Sequence, residues 1–105
     1  MADIPPAGHA QILRTIRDAQ ADVRALRSAA NVEKGYRGFD LADKTLAECH
    51  AAISGERDQA RVVTMLRNAV HALGLTGGGD VAPAVERTRD KFGAIQRGLE
   101  AQGST

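Results

Sequence analysis

Only one cysteine, Cys49, stands among 105 residues. A lone thiol excludes an intrachain disulfide framework and predicts a reducing, cytoplasmic setting. Neither sign of charge dominates, since 14 cations face 13 anions for a net charge of +1. No global field is therefore available to draw in nucleic acid or an anionic lipid surface. The chain has no apolar run near the roughly 20 residues that a membrane span requires. An acid at Asp3 with no apolar stretch behind it predicts no secretory signal and no membrane partner. Aromatics are the scarcest class: Tyr36, Phe39 and Phe92 are all there are.

Alanine and arginine are what the chain has in quantity, 19 and 11 residues against three lysines. That bias suits a bacterium with a GC-rich genome. The length predicts one domain. Alanine-lined faces let helices approach closely but bury little area apiece, so a second subunit is the expected supplement to the core.

Apolar spacing is helical throughout. Ile12, Ile16, Ala19, Val23, Leu26 and Ala30 recur at steps of four and three, and Pro5 and Pro6 suit a first turn. A second face carries Ala42, Leu46, Cys49 and Ile53, with Asp40 as its expected cap and Asp43 favouring the same N-terminus. A third carries Val62, Val63, Leu66, Ala69, Val70 and Leu73, with Ser54 as the cap, Glu56 near the positive end and Gly74 as the stop. Past Gly77-Gly78-Gly79, Asp80 is the expected cap of a last helix. Its seam is Val81, Val85, Thr88, Phe92, Ile95 and Leu99.

The pattern predicts an all-α, small four-helix bundle with longer first and last helices and a dimeric assembly. The expected organisation is a tail over 1–5, one domain over 6–101 and a tail over 102–105. Helices are placed at 6–31, 40–53, 55–73 and 80–101. Heptad-like seams on the two outer helices suit bundle and dimer interfaces alike.

Lys34-Gly35-Tyr36-Arg37-Gly38-Phe39 concentrates two aromatics and two cations. It resembles the start of the RNA-recognition-motif signature, which works from a central strand of a sheet. Here it lies between two helical patterns and reads as a helix–helix corner. Asn31-Val32-Glu33-Lys34-Gly35 is similar to the His-x-x-Lys-Gly site of histidine phosphotransfer domains, with asparagine where the phosphorylated histidine belongs. That resemblance implies a bundle without the chemistry. Ala51 and Gly55 match the alanine–glycine spacing of helix-turn-helix motifs. Glu56 and Arg61 then occupy positions the motif needs apolar, so no standard DNA-reading element is expected.

Catalytic groupings are scarce. His9, His50 and His71 fall on three segments, with no second ligand at metal spacing, so no metal and no cofactor is expected. Cys49 and His50 diverge by about 100° on a helix, which leaves the imidazole badly placed to activate the thiol. The glycine run before Asp80 lacks the lysine of a phosphate-binding loop.

The expected function is accordingly non-catalytic: an adaptor, chaperone-like or regulatory module that binds another protein and pairs with itself. The contact residues expected are Tyr36, Arg37, Phe39 and Lys34 at the 32–39 corner, with Arg14, Arg17, Arg24 and Arg27 on the first helix. The rival reading places that arginine flank, with Lys34 and Arg37, on nucleic-acid phosphates.

Overall fold

A computed structural model describes residues 3–30, 36–76 and 82–103. Four helices follow in order: α1 (Pro6–Ala30), α2 (Tyr36–Ser54), α3 (Gln59–Thr76) and α4 (Ala82–Gly103). The fold is an all-α bundle whose first and last helices, of 25 and 22 residues, are the longest. Each helix packs on the next in sequence, and α4 closes back on α1 more thinly than any sequential pair packs. The bundle is a rod of 47 × 19 × 16 Å.

The core is built by the seams that the sequence spacing marks out. Ile12, Ile16, Ala19 and Val23 of α1 meet Ala42, Leu46, Cys49 and Ile53 of α2, all buried. Val62, Val63, Leu66, Ala69 and Leu73 come from α3, and Ala84, Val85, Phe92 and Leu99 from α4. Thr88 is buried within the α4 seam because its hydroxyl donates to the Ala84 carbonyl 2.9 Å away, one turn back. That local bond satisfies the polar atom without a partner helix.

Helix ends depart from the sequence expectation. α2 starts at Tyr36, four residues early. Phe39 is in phase with Ala42, Leu46, Cys49 and Ile53, so one more helical turn buries its ring. Asp40 consequently lies inside the helix and cannot cap it. Residues 55–58 form the turn that was expected to be helix, and Asp58 caps α3 in place of Ser54. The Asp58 carboxylate accepts the Arg61 backbone N–H at 3.1 Å, the geometry of an N-cap. Ser54 instead closes α2, its hydroxyl donating to the Ala51 carbonyl at 2.9 Å. α3 runs through Gly74 to Thr76, so that glycine is no stop. α4 continues to Gly103, two residues into the expected tail. The expected cap Asp80 and the seam residue Val81 lie outside the described residues.

Residues 3 and 4, just before α1, are tied to the rest of the bundle. The Ile4 N–H donates to the Arg57 carbonyl at 2.8 Å, an isolated bridge pairs Asp3 with Asp58, and the Ile4 side chain is buried. Apolar burial and one backbone bond hold this strap across the α2–α3 turn.

Candidate functional site

The first helix positions Arg24 and Gln20 at the boundary with α2, where Asp43 receives both. Arg24 Nε lies 3.3 Å from Asp43 Oδ1. Gln20, almost fully buried, donates to the same carboxylate at 3.3 Å and accepts a hydrogen bond from Arg17 at 2.9 Å. Asp43 thus serves as an interhelix acceptor, where the sequence suggested a role at the α2 N-terminus. Arg14 is exposed and makes no ion pair among the described residues. Of the other expected contact residues, Lys34 lies outside the described residues. The side chains of Arg27, Tyr36 and Arg37 also lie outside them.

Phe39 is described, and it is 1% exposed. Its ring fills the core and presents nothing to a partner. A strand through Tyr36 and Phe39, which a base-stacking platform would need, is replaced by the first turn of α2.

On the opposite side of α1, Asp22 is held by Arg87 of α4 through two parallel hydrogen bonds of 2.8 Å each. That guanidinium, opposed by some desolvation and helped by the nearby Lys91, keeps the Asp22 carboxyl below its ordinary range. Such a depressed acid adds stability above its ordinary range that is lost as pH falls through its folded value.

His9 is a buried polar residue that spacing could have revealed, since it falls on the apolar face one turn before Ile12 and two before Ile16. Its Nε2 lies 2.7 Å from the Ile53 carbonyl and 3.0 Å from that of Glu56. Both acceptors are oxygens, so Nε2 carries the proton. The ring seals the C-terminal end of α2, whose last carbonyls have no partners within the helix. This is a structural cap.

Cys49 and His50 point to different neighbours. Burial pushes the Cys49 thiol up to about 11, away from nucleophilic use at neutral pH. Desolvation, and then the charge of Arg17, lowers His50 below its ordinary value. Among the described residues, no group of three histidine, cysteine or acidic side chains is placed to hold a metal ion. No helix among them is long and apolar enough to cross a membrane.

One surface stands out. Cys49 lies in a groove of about 270 Å³ between α2 and α3, lined also by Thr45, Ala52, Met65, Ala69 and Ala72, with the polar side chains of Glu48 and Asn68 beside them. Small side chains at consecutive turns on both helices leave this channel open. Leu41 precedes Thr45 by one turn and is 45% exposed; Leu75 follows Ala72 by three residues and is 78% exposed. The antiparallel pairing of α2 and α3 brings these two leucines to the same end. They are the large apolar side chains left in solvent among the described residues. Sequence spacing could not mark the groove, because it is made by what is small.

No family model matches the chain, and neither a curated protein nor a solved structure matches it.

Proposed function

We propose that this bundle is a non-catalytic protein-interaction module, of adaptor, chaperone-like or regulatory kind, acting in a bacterial cytosol. Its binding surface is the α2–α3 groove, and the ligand class is an amphipathic helical segment of another protein. The observation that carries this reading is the mostly apolar channel, with Glu48 and Asn68 as its polar members and exposed Leu41 and Leu75 at one end. A helix laying its apolar face into such a channel gains area burial from large side chains entering alanine-sized spaces. Met65 adds an adaptable, polarisable contact. The raised thiol of Cys49 favours this use over nucleophilic chemistry.

The rival reading, phosphate contacts from α1, has less to draw on. Arg24 is engaged by Asp43 and Arg17 by Gln20, so part of the flank is already spent on the α1–α2 boundary.

Co-purification from native extract at two salt concentrations tests the reading. The wild-type chain should retain a protein partner at both, and Ala72→Glu or Leu75→Glu should lose it while keeping the helical circular-dichroism signal. Recovery of nucleic acid in place of protein, with steep loss at the higher salt, would count against the groove and for the arginines.

A further inference from the structure

We infer that the face formed by α1 and α4 binds a second copy of this chain, about a two-fold axis parallel to the bundle. This face lies across the bundle from the α2–α3 groove, so either proposal can fail without the other.

Charge decides the pairing. The Asp22–Arg87 clasp fixes the antiparallel register of α1 and α4. One turn back along α1 stands Asp18, and one turn onward along α4 stands Lys91, which brings the two level. Both are exposed and neither has an ion pair among the described residues. At these two heights α1 offers the acids Asp18 and Asp22 and α4 the bases Arg87 and Lys91, while Arg14 stands one turn beyond Asp18 and Asp90 beside Lys91, both exposed.

A two-fold axis along the rod keeps every height and exchanges left with right. It lays α1 of one copy on α4 of the other, with Asp18 against Lys91 of the second copy and the reverse. A two-fold axis across the rod would instead set α1 on α1 and α4 on α4, like sign toward like. Complementary placement of this kind selects orientation as well as partner.

An apolar depression completes the face. Ile4, Pro5, Ile12, Ile95 and Leu99, with Gly8, Gln11 and Gly98, line a groove of about 390 Å³ between the start of α1 and the end of α4. Gly98 lies on its rim, and a Cβ built there meets nothing within 4 Å. Thr15 and Ala94 are also short, so the crossing helices can approach.

Sedimentation equilibrium of the full chain from micromolar to millimolar concentration tests the inference. Wild type should form a dimer that weakens with added salt. Lys91→Glu and Asp18→Lys should each weaken it about tenfold, and the double variant should restore it, because the contact occurs twice across the axis. Gly98→Arg should give a folded monomer by circular dichroism; if it fails to fold, the charge-exchange series decides alone. A wild-type monomer throughout the range would overturn the inference. So would a dimer indifferent to Gly98→Arg, or single reversals that the double variant does not rescue.

Discussion

His9 donates its Nε2 hydrogen to the Ile53 carbonyl 2.7 Å away, joining the start of α1 to the end of α2 across 44 positions of sequence. The same N–H is shared with the Glu56 carbonyl, while the Ile4 N–H reaches Arg57. One end of the bundle is thus secured by three carbonyls of a single turn, all served from the N-terminal segment. Replacing His9 with alanine leaves the Glu56 carbonyl without that donor and the Ile53 carbonyl with the Glu56 N–H alone, at 3.0 Å. The expected cost is about 1–3 kcal/mol, read as a lower urea midpoint at unchanged slope. His9→Gln, which retains an N–H donor, should recover part of it. A loss below about 0.5 kcal/mol would mean that water serves the carbonyls equally well.

The α2–α3 turn separates two capping candidates that the sequence alone confused. Ser54 and Asp58 are both good N-cap residues, and the apolar phase of α3, set by Val62 and Val63, accepts a start after either. Geometry decides, because four residues are used in turning between antiparallel helices. Asp58→Ala should therefore cost about 1 kcal/mol, and Ser54→Ala no more than about 0.5 kcal/mol, in chemical denaturation. The reverse ranking would place the helix start back at Ser54. Periodicity made the four seams readable, whereas cap assignment needed the third dimension.

Phe39 reverses the role that its neighbourhood suggests. Phe39 sits in a hexamer rich in glycine and cations and looks like a surface contact, yet the ring is buried. Leu41, a large apolar residue that the expected second face leaves out, is 45% exposed. Phase explains both: position 39 continues the 42–46–49–53 seam, and position 41 falls outside it. Contact residues were therefore less legible than core residues, since exposure depends on where the helix begins and a one-turn error inverts it. Phe39→Ala should destabilise by about 3–5 kcal/mol and Leu41→Ala by under about 1 kcal/mol in urea titrations. Equal effects would contradict the early start of α2.

Cys49 joins the core to the proposed binding groove, and its titration reports on both. Desolvation raises the thiol from an ordinary 9.0 to about 11 in the folded chain. For an acid raised on folding, the neutral form is the one the fold prefers. The associated stability is intact below the ordinary value and is lost as pH climbs toward the folded one. At about pH 7 the native thiol should react with a disulfide reagent at least about tenfold more slowly than the urea-unfolded chain. Its rate should climb only in the alkaline range, and the wild type should lose stability there by a part that Cys49→Ala removes. A peptide or protein seated in the groove should slow the reaction further, since the sulfur lies at its wall. Native reactivity equal to the unfolded rate at neutral pH would mean that the α2–α3 pair opens readily there, and the groove would then be a fluctuation of the hairpin with no fixed shape to offer a partner.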